Sequence, residues 1–185
     1  RLVTGHEALV VGAGVKTGLN IGIDDPSQMG ADLVAGAVAA LDMREPPVIV
    51  IDMGTATTIS VIGPNARLLG GAIMPGAAVS LEALSGTASL LPRVSLEAPR
   101  RCIGSGTIEC MKSGAVFGAA SAIDGMIDRM EAELGGKAAV VATGGLAQHI
   151  IPYCRHEIEI DDYMLLRGLS LIWQRNRRER RREAK

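Results

Sequence analysis

Four consecutive β-branched residues, Val48 to Ile51, constrain the fold more than any other feature of the sequence. A continuous run of this kind, without the alternation of a half-exposed strand, is typical of a strand buried on both faces of a sheet. Two strand-like segments follow at 57–62 and 67–74, after turns at 52–55 and 63–65. We therefore expect three hairpin-linked strands, of which the first is fully buried.

The rest of the chain alternates between helical and strand-like patterns. We expect a helix from Pro75 to about Leu84, an irregular segment at 85–104, a helix from Ile108 to Leu134, a strand at 138–142, a helix at 146–151, a strand at 157–160 and a helix from Tyr163 to about Arg178. The order β-β-β-α-α-β-α-β-α combines an antiparallel ribbon with parallel crossovers, so it predicts an α/β fold with a mixed sheet.

The segment before this run is predicted to contain a short strand and turn at 8–15, followed by a helix. Asp25, Pro26 and Gln28 have the pattern of an N-cap, a proline at the first helical position and a capping-box partner. Pro46-Pro47 ends the helix, and we place a domain boundary there, between residues 1–46 and 47–185.

Composition limits the function classes. Only 2% of the residues are aromatic, which argues against a base-stacking nucleic-acid platform. No apolar run is long enough for a bilayer, so we expect no membrane partner. The three cysteines lack zinc spacing and fit reduced thiols in a cytoplasm. The three histidines, His6, His149 and His156, are scattered and suggest no metal site.

The C-terminal residues 175–185 carry seven basic and two acidic side chains, although the whole chain has a net charge of −1. Such a run can bind nucleic acid or acidic lipid. It is also typical of a solvated helix end, where cations complement the helix dipole. The sequence leaves both interpretations open.

Residues 51–58 (IDMGTATT) are the strongest candidate for chemistry. An aspartate at a strand end is followed by glycine and hydroxyl residues on a turn. Glycine lets a backbone approach phosphate oxygens, turn N–H groups and threonine hydroxyls donate hydrogen bonds, and an aspartate can hold a cation. The alternative is a structural hairpin with Asx and threonine turn bonds.

Two glycine-rich segments are weaker candidates. Thr143-Gly144-Gly145 lies between a strand and a helix, where a nucleotide could approach closely. Residues 70–76 place glycines at both ends of a strand and a Pro-Gly before a helix. Taken singly, both segments could be ordinary connectors.

Together these segments resemble type III pantothenate kinase, of the acetate kinase/sugar kinase/Hsp70/actin superfamily, over residues 9–176. Seven segments match in the family's order: Asp25-Pro26…Gly30-Ala31-Asp32, Asp52–Thr58, Gly70-Gly71…Pro75-Gly76, Thr87-Ala88…Leu91-Pro92, Ile103-Gly104…Thr107, Thr143-Gly144-Gly145-Leu146 and Leu166-Arg167-Gly168-Leu169. The resemblance implies an actin-like, ribonuclease H-like α/β domain at 47–185, preceded at 1–46 by the C-terminal part of a first such domain.

The resemblance also implies an activity: ATP-dependent phosphorylation of the primary hydroxyl of pantothenate, the first step of coenzyme A biosynthesis. It implies a cytoplasmic homodimer that uses ATP with Mg²⁺ and a monovalent cation, potassium or ammonium. One aspartate is the implied catalytic base and another the implied cation ligand, respectively Asp32 and Asp52. The implied substrate-binding residues are Gly30, Ala31, Asp32, Leu33 and Thr107, and the implied ATP-binding residues are Gly54, Thr55, Gly144 and Gly145.

The chain departs from the family pattern at several positions. Leu33 replaces an arginine expected to hold the substrate carboxylate, Ile23 replaces a substrate-contacting tyrosine, and Ser60 replaces an aspartate. The family's N-terminal half, with a second phosphate loop, has no counterpart, so we expect little kinase activity from this chain alone. Two alternatives remain open: a catalytically silent paralogue with a binding or regulatory role, and a nucleic-acid-binding accessory factor acting through the arginine-rich tail.

Overall fold

A computed structural model describes residues 8–25 and 29–183, with side chains described as far as Arg177. Its described part contains one six-stranded mixed sheet in the order β1-β4-β3-β2-β5-β6. The strands are β1 Asn20–Ile21, β2 Val48–Met53, β3 Ala56–Gly63, β4 Arg67–Pro75, β5 Ala139–Thr143 and β6 Glu159–Ile160. The helices are α1 Ala31–Met43, α2 Ala77–Thr87, α3 Thr107–Leu134, α4 Ala147–Ile150 and α5 Met164–Glu183, with 3₁₀ turns at Pro64–Ala66 and Ile151–Tyr153.

Strand β2 lies near the centre, antiparallel to β3 and parallel to β5. The β3–β4 pair is antiparallel, whereas β1–β4 and β5–β6 are parallel. Tight turns can join only antiparallel neighbours, so the parallel partner β5 is reached through the long helical crossover of α2 and α3. The predicted β-β-β-α-α-β-α-β-α order and the mixed sheet are both confirmed.

The β-branched run of β2 packs on both faces of the sheet. Ile49 and Ile51 face a core that includes Ile123 and Ile127 of α3. Val48 and Val50 belong to a second core, which includes Ala37 and Ala40 of α1 and Met164 of α5. Because successive side chains of a strand point to opposite faces, the unbroken run fills both layers.

Helices α1 and α5 cross at close range on this second face. A Cβ atom at Gly168 would overlap the backbone carbonyl of Ala35, so the crossing requires glycine at that point. Asp161, buried just before α5, accepts hydrogen bonds from the N–H of Tyr163 and from Arg167 Nε, at 2.9 and 3.0 Å. Residues 166–169, matched as a motif, therefore fix the position of α5 against α1.

Three local predictions are wrong. Residues 8–11 form no strand, although a turn does follow them. Helix α1 begins at Ala31 with Gly30 as its N-cap, whereas Asp25 lies outside the helix and Pro26 and Gln28 lie outside the described residues. Pro75 ends β4, paired with Ala56, rather than opening α2. At the start of α1 the extended backbone of Gly30, and at Pro75 the pairing with Ala56, override the local sequence signal.

The last helix runs further than predicted, to Glu183. None of the helices in the described ranges combines the length and the apolar character that a membrane span requires. The boundary at residues 46 and 47 stays a prediction. Helix α1 lies before that boundary, yet it packs directly on the sheet formed by the later strands.

Candidate functional site

Two carboxylates lie together at one edge of the sheet. Asp52, near the end of β2, and Asp32, in the first turn of α1, both line a small cavity of about 20 Å³. The β-sheet register places Thr58 of β3 and Thr143 of β5 opposite Asp52, and both residues line the same cavity. Asp52 is half-buried, whereas Asp32 is exposed at the start of its helix. The fold thus brings the predicted base and the predicted cation ligand to one point.

The environment of Asp52 disfavours its negative charge. Burial raises the pKa of this carboxyl above its ordinary value, and the nearby charge of Asp32 raises the pKa further. A bound cation would act in the opposite direction, because it stabilises the ionised carboxylate. The two aspartates therefore bring two carboxylates to one small cavity, and the cation at Asp52 stays a prediction.

The start of α2 packs against the turn between β2 and β3 and holds it in place. The Gly76 N–H donates to the Thr55 carbonyl at 3.0 Å, and a Cβ at Gly76 would overlap the carbonyls of Gly54 and Thr55. Within the turn, the Gly54 N–H donates to the Ala56 carbonyl at 3.0 Å, so that donor serves the turn itself. Thr55 is exposed at the tip, where its hydroxyl can meet a phosphate.

The turn after β5 lies directly against Asp52. Gly144 has a φ of +96°, and a Cβ there would come within 2.6 Å of Asp52 Oδ1 and of the Met53 nitrogen. The Leu146 N–H donates to the Met53 carbonyl at 3.1 Å and ties the two turns together. At position 144 only glycine fits, whereas the ATP contact of this turn stays a prediction.

Both predicted ATP-binding glycines of this turn line an open cleft of about 490 Å³ that also includes Asp52. Two polar residues missed by the sequence analysis complete it: Gln148 and Asp162, whose side chains are joined by a 3.3 Å hydrogen bond from Nε2 to Oδ2. No motif surrounds either residue, so no sequence signal could have found them. We call this space the glycine-turn cleft.

A second space of about 390 Å³ lies next to the carboxylate pair. It shares Leu33, Thr58 and Ser60 with the small cavity between Asp32 and Asp52, so the two spaces have part of one wall in common. Its lining residues are Ile23, Asp24, Asp25, Met29, Leu33, Thr58, Ile59, Ser60, Leu68, Gly70, Gly71, Ala72 and Ile73. We call it the Leu33 cavity.

The remaining residues predicted to bind the substrate do not all lie near Asp32. Gly30 and Ala31 lie at the start of α1, beside Asp32. Leu33, Ile23 and Ser60, the three positions that depart from the family pattern, all line the Leu33 cavity. Thr107 is exposed at the start of α3 and is not among the residues that line the described cavities near Asp32. Its substrate contact stays a prediction.

His156 lies in a polar cluster that its sequence spacing did not indicate. Possible ligand atoms of Asp128, Glu131 and His156 lie within 4.8 Å of one another. His156 Nε2 is 2.8 Å from Asp128 Oδ1, and Lys137 Nζ donates to Glu131 Oε2 at 2.6 Å. These ion pairs explain why the residues lie together, so we interpret the cluster as a surface ion-pair network.

Comparison with known proteins gives one consistent result. A family model described as type III pantothenate kinase matches residues 2–129. A protein of that name from Moorella thermoacetica is 45% identical over 172 residues, which are 93% of this chain and 68% of the relative. One from Anaeromyxobacter sp. is 46% identical over 169 residues, 91% of this chain and 66% of the relative. The chain therefore spans about two thirds of the length of these relatives.

Solved structures agree on the fold. A conserved putative Baf family transcriptional activator from Campylobacter jejuni is 27% identical, with a TM-score of 0.53 over 78% of this chain and 65% of that chain. The apo psk41 ParM protein is 15% identical, with a TM-score of 0.51 over 78% of this chain and 49% of that chain. The second likeness concerns the fold alone. The predicted actin-like α/β class is confirmed.

Proposed function

This chain belongs to the type III pantothenate kinase family, and we propose that it catalyses ATP-dependent phosphorylation of the primary hydroxyl of pantothenate. The observation that carries the proposal is that two spaces flank one pair of carboxylates. Asp52 lines the glycine-turn cleft, and Leu33, the residue after Asp32, lines the Leu33 cavity. Phosphoryl transfer needs this arrangement, with a donor and an acceptor brought together in line.

On the donor side, ATP would lie against the turn at Gly144 and Gly145, with its phosphates toward Thr55 and Asp52. Threonine hydroxyls donate to phosphate oxygens, and glycine allows the close approach. A phosphate next to the anionic centre needs a cation between the charges. We assign potassium or ammonium to Asp52 and Mg²⁺ to the ATP phosphates, because Asp32 and Asp52 already place two carboxylates at the small cavity that the phosphates would approach.

On the acceptor side, Asp32 would accept the proton of the substrate hydroxyl as that oxygen attacks the γ-phosphate. Its exposure at the helix start leaves the carboxylate accessible to a substrate. One Asp32 oxygen, Oδ1, accepts from the Leu33 N–H at 2.9 Å, which orients the group. Positioning and charge neutralisation account for most of the catalysis of phosphoryl transfer. One general base that is oriented toward the hydroxyl is therefore sufficient.

We propose further that the enzyme is a homodimer and acts in the cytoplasm. The cytoplasmic assignment rests on the three cysteines, Cys102, Cys110 and Cys154, all of which are free thiols. Neither the silent-paralogue nor the nucleic-acid alternative is favoured, since the cited curated relatives are named as kinases. The side chains beyond Arg177, on which the second alternative rests, lie outside the described residues.

The test is pantothenate-dependent release of ADP. We would assay the chain itself and a fusion that supplies the part of the Moorella thermoacetica relative outside the match, because the sequence analysis expects little activity from the chain alone. The expected result is ADP release by the fusion that requires pantothenate. Release that is the same without pantothenate, or absent in both samples, would contradict the proposed function.

A further inference from the structure

Two exposed cysteines lie on either side of the start of α3. Cys102 belongs to the irregular segment before the helix, and Cys110 lies in the first turn of the helix. Seven residues separate them, and Thr107, which is predicted to bind the substrate, is one of the seven. Both thiols are free, and the proposed function uses neither of them.

Ser113, three residues after Cys110 on α3, fixes the position of Cys102. The buried Ser113 Oγ donates to the Cys102 carbonyl at 2.5 Å and lies 3.8 Å from Cys102 Sγ. Side chains three residues apart on a helix are neighbours, with Cβ atoms about 5–6 Å apart. Cys102 therefore lies against the face of α3 that also carries Cys110.

Cys110 contacts the same irregular segment. Its Sγ donates to the Gly104 carbonyl at 3.5 Å. A Cβ atom at Gly104 would lie 2.6 Å from the Cys110 nitrogen, so the two backbones pack without room for a side chain between them. Glu109 Oε2 also accepts hydrogen bonds from the N–H and the hydroxyl of Ser105, at 3.1 and 3.0 Å. The segment from Cys102 to Ser105 is thus folded back onto the first turn of α3.

These contacts bring the two thiols close enough to react with each other. A disulfide requires Cβ atoms about 3.5–4.5 Å apart. The helix fixes Cys110, whereas residues 100–106 belong to neither a helix nor a strand. A small shift of Cys102 can therefore close the remaining gap, because it breaks no hydrogen bond of a helix or a strand.

The charges around Cys102 favour an anionic reaction partner. Arg100 and Arg101 are exposed directly before Cys102. The hydrogen bonds from Ser105, together with the charges of Arg101 and Arg100, hold the pKa of Glu109 below its ordinary value, so the two arginines act on this turn. Positive surface charge raises the local concentration of small anions. Glutathione disulfide is a low-molecular-weight disulfide with a negative net charge, and it matches this environment.

Cys154 differs from both cysteines. Burial and, to a smaller extent, the charge of Asp124 raise the pKa of its thiol to about 12. Because only the thiolate attacks a disulfide, Cys154 is unreactive at neutral pH. Cys154 is therefore a control within the same chain.

We propose that Cys102 and Cys110 are a reversible modification site, which glutathione disulfide converts to an intramolecular Cys102–Cys110 disulfide. This inference goes beyond the proposed function and does not depend on it. Disulfides in a cytoplasm are usually transient and redox-sensing, so such a pair is compatible with thiols that are otherwise reduced.

The reaction is two successive thiol–disulfide exchanges. One cysteine sulfur attacks a sulfur of glutathione disulfide, whose S–S bond breaks, and the first glutathione leaves as a thiol. The second cysteine sulfur then attacks the cysteine sulfur of this mixed disulfide and releases the second glutathione. The cysteine pair loses two electrons and two protons, and glutathione disulfide gains them as two thiols.

The experiment identifies the thiols that are lost on oxidation. The chain is incubated with glutathione disulfide at neutral pH, alkylated in urea with N-ethylmaleimide and digested with trypsin without reduction. Cleavage after Arg101 and Lys112 gives one peptide, 102–112, that contains both cysteines. This peptide should be two hydrogen atoms lighter than its reduced form and carry no alkyl group, and dithiothreitol should restore both thiols. Cys154 should be alkylated.

Three results would overturn the proposal. The first is alkylation of both cysteines in peptide 102–112 after oxidation. The second is a peptide 102–112 that keeps glutathione, because the second exchange would then not occur. The third is a disulfide that links this peptide to the one with Cys154, because the thiols would then react without regard to their positions.

Variants separate the two exchanges. Cys102→Ser and Cys110→Ser should each keep one glutathione as a stable mixed disulfide, since neither has a second thiol to release it. Cys154→Ser is the matched control and should form the Cys102–Cys110 disulfide as the unmodified chain does. A Cys154→Ser chain that folds by circular dichroism but does not form the disulfide would contradict the assignment.

Thermal melts test whether the folded structure accommodates the bond. The disulfide should raise the melting temperature by roughly 2–8 °C, because a closed loop restricts the unfolded chain. The oxidised chain is compared with the same chain after dithiothreitol. A lower melting temperature in the oxidised chain would show that the fold does not hold Cys102 and Cys110 together, and the inference would be wrong.

Discussion

The two sides of the carboxylate pair are built differently. The glycine-turn cleft includes the turn at Gly144, where a Cβ would overlap Asp52 and Met53. The Leu33 cavity is lined mainly by aliphatic side chains, together with Gly70 and Gly71, and a Cβ at Gly71 would overlap the backbone carbonyl of Ile59. All three positions at which the sequence departs from the family pattern lie on this second side.

Both sides therefore contain a glycine that the backbone geometry requires, and they differ in how much of the remaining lining consists of aliphatic side chains. The turn that contacts Asp52 accepts only glycine at position 144, because any Cβ there collides with the neighbouring strand. A cavity lined by side chains can be built from many combinations of residues, and each combination suits a different ligand. We therefore expect substitutions at Leu33 and Ile23 to change ligand binding more than the chemistry proposed for Asp32.

The largest expected effect comes from Asp32, where the two sides meet. Asp32→Asn in the active protein should lower kcat by roughly 10²–10⁴-fold, the usual contribution of a positioned acid or base. ATP affinity should change little, because Asp32 faces the acceptor. Steady-state kinetics with both substrates varied measure the two quantities. Asp42→Asn, exposed on the same helix, is the control, and an unchanged kcat for Asp32→Asn would remove its role as base.

The next effect tests the geometric constraint on the donor side. Gly144→Ala should lower the free energy of unfolding by roughly 1–3 kcal/mol, because alanine is strained at a φ of +96° and collides with Asp52. Nucleotide binding should weaken as well. Urea denaturation and calorimetry measure both. Gly145→Ala is matched, since a Cβ there meets nothing within 4 Å, and equal losses in the two variants would show that space at Gly144 is unimportant.

A smaller effect concerns the cation at Asp52. Potassium in place of tetramethylammonium, a monovalent cation too bulky to bind beside Asp52, should tighten ATP binding about fivefold, as roughly 1 kcal/mol of Coulomb attraction at about 4 Å would. Asp52→Ala should remove the difference between the two salts. Calorimetry at constant ionic strength provides the measurement. A potassium effect that survives in Asp52→Ala would place the cation elsewhere.

The smallest effect is a pH dependence of stability. The folded-state pKa of Asp52 is raised, so the folded chain holds its proton more tightly than the unfolded chain does. Stability therefore falls as the pH rises from the ordinary carboxyl range through the raised pKa. Asp52→Asn should melt at a higher temperature than the unmodified chain at pH 7, and the advantage should shrink below the ordinary carboxyl pKa.

Thermal melts from pH 3 to 8 in sodium buffer measure this dependence. Asp42→Asn is again the control, because Asp42 is exposed and lies away from the carboxylate pair. A melting-temperature difference between Asp52→Asn and the unmodified chain that stays constant across the pH range would contradict it.

Local sequence signals were reliable where the chain interacts mainly with its neighbours. The run Val48 to Ile51 predicts β2, and Gly135, with a φ of +73°, ends α3 where the glycine pair predicts. The start of α1 was predicted too early, because the backbone at Gly30 is still extended. Gln148 and Asp162 could not be found at all, since β6 and the end of α4 separate them along the chain and only the sheet brings them together.

The sequence by itself determined the order of strands and helices, the mixed sheet and the family, because strand runs, turn glycines and motif order are properties of adjacent residues. Only the tertiary structure decided that Asp32 and Asp52 share one cavity, that Gly144 must lie against Asp52, and that Leu33 and Ile23 line the same wall. Those relations depend on parallel crossovers and on the packing of α1 against the sheet. Such contacts join residues far apart in the chain, and no local pattern encodes their distance.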